Sequence, residues 1–467
     1  MNARPWWGRR LILTLRLGEM PEHVPTLREC WRGTASASER LDGGVIDRLL
    51  KRRGVHLRAG RLHSAARGVA RHSAIPLLRR YDAIEQATGI ARQVRIELAN
   101  PCDLRELADA LRQCGIVESA TPDYLVSTPA DGLDPRLGAM PDEAAMDWPR
   151  AQLRLDAALG YEPGDPAVVL GLADTGVALQ HADLQTRLRR GFDSVDIDPI
   201  TLGERYVLTG DNARRDNDPD DDVGHGSGCA GILVADSEPL RPGAAGRAGL
   251  IPARVLGAAR TPNGKVVGIG AIANIDLGMK RLVDLGAKVI NMSFGTPASA
   301  LSPDDPHPHR EVVAYALARG CVLIAASGNS GKDERYYPAA LDGVIAVGAT
   351  DRDGNVASFT TRGAHVAVCA PGRGIWTCGV RGYQQASGTS FAAPFVAGVA
   401  ALLVARGERR AFPVEGALVR QVLVSGARAH PSTAPPGCGV GVVDALASLQ
   451  HLDAAIDATE SEPESSE

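Results

Sequence analysis

The chain has little that would place it in a membrane or in a disulfide scaffold. No run of about 18 apolar residues occurs, which argues against a spanning helix. Aromatic residues make up only 4% of the 467, so the core must be aliphatic; the apolar share of 44% is ordinary for a globular protein. Eight cysteines are too few and too scattered for a disulfide framework, and none forms the Cys-x-x-Cys pair that signals zinc. Mostly reduced thiols and a cytoplasmic setting are expected, with secretion by a non-standard route left open. Residues 1–10 are basic and 11–17 apolar, but that run is short, Arg16 interrupts it and no small-residue cleavage site follows. It reads as a strand rather than a signal peptide.

Strong net charge is also missing: the formal value is -4, though it is unevenly spread. Residues 1–84 hold 17 Lys and Arg against 7 Asp and Glu, or +10, which leaves 34 against 48, or -14, for the remainder. A basic segment can contact nucleic acid. Docking on the chain's own acidic remainder is the plainer reading, and no nucleic-acid partner is expected. The length suggests two domains.

Two patterns follow one another. Residues 11–17 and 55–62 read as strands flanking a helix at 45–53; then 93–99 is strand, 103–114 helix and 117–126 strand. Asp103 is placed to cap the second helix and Gly115 to end it in a left-handed conformation. This β-α-β, β-α-β order is that of a small α+β ferredoxin-like domain over 1–126. The Arg-rich 66–80 separates its halves. Residues 127–147, broken by Pro129, Gly132, Pro135, Gly138 and Pro141, read as an exposed linker open to cutting.

From 148 to 452 short β-rich runs at 168–173, 253–256, 289–294, 322–326, 344–347 and 366–369 alternate with helical stretches. The helices fall at 269–285, 310–319 and 390–406. This predicts a three-layer α/β domain with a mainly parallel sheet, whose functional groups gather at the carboxyl ends of strands. Residues 453–467 read as an acidic, disordered tail.

Four residues stand out against this frame. Asp174 ends a strand before Thr175-Gly176, where a partly buried carboxylate can hold an imidazole. His225 lies in Gly224-His225-Gly226-Ser227-Gly228, with glycines that let backbones pack close. Ser390 lies in Ser387-Gly388-Thr389-Ser390-Phe391-Ala392-Ala393-Pro394, at the start of a long apolar helix whose free N–H groups favour developing negative charge. Pro394 cannot donate to the Ser390 carbonyl, so that helix gives up a bond beside the serine. Asn329, in Ser327-Gly328-Asn329, carries an amide able to donate to an oxyanion. Singly, each has an ordinary reading as a turn Asp, a structural His, a helix cap or a loop Asn.

Together these segments resemble the motifs of the subtilisin-like serine proteases, in that family's order Asp, His, Ser. His181-Ala182-Asp183-Leu184, Asn291-Met292-Ser293-Phe294-Gly295 and the closing stretch 439–445 add to the resemblance. It implies a serine endopeptidase of polypeptides, with Asp174, His225 and Ser390 as triad and Asn329 in the oxyanion hole. Ser293, Phe294 and Gly295, with Ser327 and Gly328, would bind substrate. Residues 1–126 resemble the family's inhibitory propeptide, which implies an autoprocessed zymogen whose first domain is its own inhibitor. No cofactor is required. Calcium stays open against a solvated acidic loop: Asp183 matches a common ligand, and Asp216, Asp218 and Asp220 supply oxygens before the His motif. A catalytically inactive scaffold on the same fold is the alternative. An esterase-type hydrolase is disfavoured, because 388–392 is not Gly-x-Ser-x-Gly.

Overall fold

A computed structural model describes residues 6–66, 81–128, 133–135, 142–197, 206–212, 216–238, 240 and 242–461. Nearly all of the Arg-rich segment, residues 129–132 and 136–141 of the linker and the end of the acidic tail lie outside these.

The larger unit is built on seven parallel strands, ordered Val366–Pro371, Val344–Thr350, Val322–Ala326, Val289–Met292, Val169–Asp174, Gly249–Arg254 and Phe192–Asp193. Their interiors are buried almost throughout, as a sheet covered on both faces requires. On one face lie the helices His225–Val234, Thr389–Arg409, Gly416–Gly426 and Ala445–Ser461; on the other lie Ile272–Asp284 and Arg310–Ala318. Val169–Asp174 leads on to Gly249–Arg254 at one side, and the chain then returns to Val289–Met292 at the other. Its carboxyl end is therefore a topological switch point, where such sheets open a crevice. Thr389–Arg409 is apolar and long enough to cross a membrane, but 94% of its apolar window is buried in this core.

The first unit pairs Leu57–Arg61, Gln93–Leu98, Trp6–Leu15 and Val117–Ser127 as an antiparallel sheet, in the order 2-3-1-4. The helices Val45–Arg52 and Leu104–Arg112 complete the β-α-β, β-α-β arrangement, so both halves form one sheet. Asp103 caps the second helix by accepting from the N–H groups of Arg105 and Glu106. Gly115 does not adopt a left-handed conformation; the helix closes at Gln113 in an ordinary right-handed cap.

Other boundaries move for identifiable reasons. The first three residues of the expected helix 269–285 are strand: Val266–Ala271 pairs with Gly257–Arg260, and the helix starts only at Ile272. The linker is narrower than 127–147. Ser127 still belongs to a strand, Leu133–Pro135 pairs with Tyr383–Ala386, and Asp142 caps a helix over Glu143–Leu153. The tail is helical to Ser461, because Leu449, Leu452 and Ile456 recur on one face and are buried. Its acids are used: Asp453 pairs with Arg406, and Arg410 with Asp457 and Glu460.

The two units share a sheet. Leu125, Val126 and Ser127 pair with Ala271, Gly270 and Ile269, which carries the first unit's sheet into the second. Asp123 accepts from the Ala273 N–H at 3.0 Å, and Asp196 takes both Arg10 and Arg95 at 3.5 and 2.9 Å. The basic-on-acidic docking inferred from charge fits Arg10, Arg95 and the Arg112–Asp305 pair. It does not describe the whole seam, since Lys280–Glu85 and Arg319–Asp82 run with opposite polarity. Asp196→Ala would leave two buried guanidiniums without their carboxylate, a loss of roughly 3–5 kcal/mol. A lowered unfolding midpoint, measured by circular dichroism in a Ser390→Ala background, is expected; an unchanged midpoint would count against this pair as an anchor.

Candidate active site

Asp174 is the last residue of its strand and fully buried. Its Oδ1 accepts from the Thr175 N–H at 2.8 Å and from His225 Nδ1 at 2.7 Å, while Oδ2 is buried without a partner. His225 begins a helix, earlier than the apolar run from Cys229 suggests. The close approach needs Gly226: a methyl there would lie 2.1 Å from the Gly176 carbonyl oxygen and 3.1 Å from Asp174 Cβ. With Nδ1 donating to Asp174, His225 Nε2 is left as the lone-pair nitrogen, buried and without a partner. Burial disfavours the imidazolium, but the charge of Asp174, its hydrogen bond and the charge of Asp221 outweigh it. The His225 pKa is raised above its ordinary value.

A residue outside the expected set holds this pair in place. Asp221 accepts from Thr175 Oγ1 (2.8 Å), the N–H groups of Val223 and Gly224 (2.9 and 3.0 Å), and Ser227 N–H and Oγ (2.9 and 2.7 Å). It thereby ties the end of the Asp174 strand to the first turn of the His225 helix. It belongs to the acidic run 216–222, of which the sequence reading singles out Asp216, Asp218 and Asp220 and not Asp221.

Ser390 is the second residue of its helix, and Gly388, not a serine, is the cap. The carbonyl that Pro394 cannot serve is taken by Ser293 Oγ at 2.8 Å and the Cys229 thiol at 3.4 Å. Ser390 Oγ donates to the Ser293 carbonyl at 3.2 Å, not to His225, while Phe391 packs on the imidazole with ring centroids 5.2 Å apart. Burial pushes the Cys229 thiol well above its ordinary pKa, which leaves it a buried donor and not a nucleophile.

Asn329 is oriented by a neighbour that sequence reasoning passed over. Thr389 donates from both N–H and Oγ1 to Asn329 Oδ1, each at 2.9 Å, and its Oγ1 accepts from the Gly328 N–H at 3.1 Å. With Oδ1 engaged, the amide Nδ2 is the end presented beside Gly388. Residues 293–295 lie beyond their strand, and among the described residues no strand pairs with them. Ser327 donates its N–H to the Val347 carbonyl, and the Gly328 carbonyl accepts from the Thr361 N–H. Thus Asp174, His225, Ser390, Asn329, 293–295 and 327–328 converge from strand ends and helix starts on one crevice.

Of the calcium candidates, Asp183, Asp216 and Asp220 accept hydrogen bonds from the chain itself. Asp183 has both carboxylate oxygens taken by hydroxyls, Ser237 on Oδ1 and Tyr383 at 2.9 Å on Oδ2. Asp216 accepts from the Asp218 N–H and Asp220 from the Leu179 N–H, so the exposed run turns its oxygens to separate local donors. Arg254 supplies the positive charge, pairing with Asp193 at 2.6 Å and Asp222 at 3.2 Å. Two described clusters bring three ligand types within 4.8 Å, Asp174-His225-Cys229 and His181-Asp183-Cys378. The first is the triad pair with the buried Cys229 thiol; in the second, His181 donates to the Gly382 carbonyl and accepts from the Asp183 N–H. Cys369 and Cys378 are both thiols, and Cys369 donates to the Cys438 carbonyl at 3.1 Å.

Residues 165–441 match the Subtilase family. The chain belongs to that family. It is 32% identical over 309 residues to a thermophilic serine proteinase of Bacillus sp. (strain AK1), covering 65% of this chain and 67% of the relative. Thermitase of Thermoactinomyces vulgaris is 35% identical over 239 residues, 51% of this chain and 75% of the relative. A solved protease of Pseudoalteromonas arctica superposes with a TM-score of 0.55 at 26% identity, over 67% of this chain and all of the other. The epidermin leader peptide processing serine protease of Staphylococcus aureus shares the fold over 95% of this chain and 98% of its own, with a TM-score of 0.60 at 16% identity. This subtilase is therefore a serine endopeptidase acting on polypeptides. Because the calcium candidates are satisfied within the chain, EDTA should leave the thermal midpoint of the Ser390→Ala chain unchanged. A fall restored by added calcium would reveal a site these residues do not form.

Proposed function

We propose that Ser390, His225 and Asp174 are the triad of this endopeptidase and that the first unit is its intramolecular inhibitor, released by self-cleavage. The observation that carries the reading is the buried His225–Asp174 contact, which leaves Nε2 as a base in the crevice that also holds Ser390. A turn about the Ser390 Cα–Cβ bond moves Oγ from the Ser293 carbonyl to Nε2. Oγ then attacks the substrate carbonyl while Nε2 takes its proton, and Asp174 stabilises the imidazolium. The oxyanion is met by the Ser390 N–H and Asn329 Nδ2; one such donor is worth on the order of 10²–10³ in rate. Collapse breaks the C–N bond, the amine leaves with the proton from His225, and water repeats the sequence on the acyl-enzyme. Substrate backbone adds as a strand along 293–295. No step calls on a metal.

Zymogen processing is supported by the path of the chain. Residues 125–127 pair with Val266–Ala271, the Thr128 N–H donates to the Gly268 carbonyl, and Leu133–Pro135 pairs with Tyr383–Ala386, the strand that leads to Ser390. The four residues 129–132 must join these two anchors, so the cut is assigned to them. The set of separate buried thiols suits a reducing, cytoplasmic setting.

Intact mass over time should show the wild type splitting within 129–132 and Ser390→Ala staying whole, with peptide turnover down by about 10⁶. Comparable cutting by the Ser390→Ala protein would mean that another nucleophile is at work. Because neutral His225 is the active form and its pKa is raised, the ascending limb of kcat/KM should lie above the ordinary imidazole value of about 6.5. The same shift acts on stability with the opposite sign. Its contribution is fully present below about pH 6.5 and is lost as pH rises through the folded value. A limb at or below 6.5 would show that Asp174 does not hold the cation.

A further inference from the structure

The proposed reaction fixes where the substrate side chain before the cut must go. Its carbonyl oxygen points at Asn329 Nδ2 and the Ser390 N–H, and its amide follows 293–295. The remaining direction at that Cα leads into the gap between 293–295 and 327–329. Both walls are bare backbone at Gly295 and Gly328.

That gap already holds a ring. A methyl on Gly295 would lie 2.4 Å from Tyr336 Cε1 and 2.8 Å from Cδ1; one on Gly328 would lie 3.0 Å from Cγ and 3.1 Å from Cδ2. One edge of the ring therefore faces each wall. The backbone fixes it there: Tyr336 and Tyr337 pair with Pro297 and Thr296, and the Tyr336 carbonyl accepts from the Ala340 N–H at 2.8 Å. Tyr336 is half-buried, and burial pushes its phenol's pKa well up.

We infer that Tyr336 fills the floor of this pocket and restricts the residue before the scissile bond to glycine, alanine or serine. The inference rests on the proposed roles of Ser390 and Asn329 and names the substrate class they serve. Aromatic, branched and long basic side chains would overlap the ring, and overpacking of that kind is not absorbed by a close-packed wall. The chain's own tether agrees: 129–132 reads Pro-Ala-Asp-Gly, and Ala130 and Gly132 are its two residues of the admitted size.

The test uses the self-processed wild type, Tyr336→Ala and Tyr336→Phe on two tetrapeptide anilides that differ only in Ala or Phe before the cut, beside fluorophosphonate labelling. The wild type should favour Ala over Phe by on the order of 10–100-fold in kcat/KM. Tyr336→Phe should keep that ratio, and Tyr336→Ala should move it toward Phe by about tenfold or more. If Tyr336→Ala does not fold, the wild-type ratio decides. A labelled wild type that cuts both substrates equally, or a ratio unmoved in a folded Tyr336→Ala, overturns the pocket and leaves the protease reading standing. A wild type that neither labels nor cuts sinks the assigned nucleophile, and this inference with it.

Discussion

A buried carboxylate with five hydrogen bonds underlies the active site. Asp221 takes donors from Thr175, Val223, Gly224 and Ser227, which joins the carboxyl end of the Asp174 strand to the start of the His225 helix. Without that clasp, two segments 51 residues apart would have to keep a 2.7 Å contact by packing alone. The Ser390 helix is tied in by a second economy. Pro394 frees the Ser390 carbonyl, and Ser293 closes on it, so the nucleophile is anchored to the strand end that borders the substrate crevice. The Asp221 clasp rigidifies its loops because both of its buried oxygens are engaged by donors.

The two units of the chain are physically continuous. A shared sheet, the Asp196–Arg10–Arg95 cluster and a common apolar core all cross between them. Such a seam is far more extensive than a tether. Inhibition, processing and side-chain selection then become aspects of one geometry. In the proposed reading the ring of Tyr336 sets what can precede the cut.

Much of the fold was legible in the sequence because it rests on short-range patterns. The buried parallel strands appear as unbroken β-branched runs, and Asp103 announces its helix as a cap. Errors came where a tertiary partner overrode local pattern. Residues 269–271 look like the start of a helix, yet Val126 on one side and Gly257–Arg260 on the other draw them into a sheet. The acidic tail looks disordered by composition, but Leu452 and Ile456 find a core and its carboxylates find Arg406 and Arg410. In the run 216–222 the residue that matters is Asp221, and only its burial beside Ser227 distinguishes it from its exposed neighbours.

The sequence by itself determined the chemical inventory: an Asp, a His and a Ser in motifs specific enough to name a family, an Asn for the oxyanion, and glycines where backbones must meet. Those are properties of residue type and local spacing, which a linear chain displays. Tertiary structure alone decided which oxygen of which carboxylate is engaged. It showed that hydroxyls of Ser237 and Tyr383 engage Asp183, and that Tyr336 stands between Gly295 and Gly328. Those facts depend on atoms brought together from distant parts of the chain, and no periodicity or composition encodes their approach.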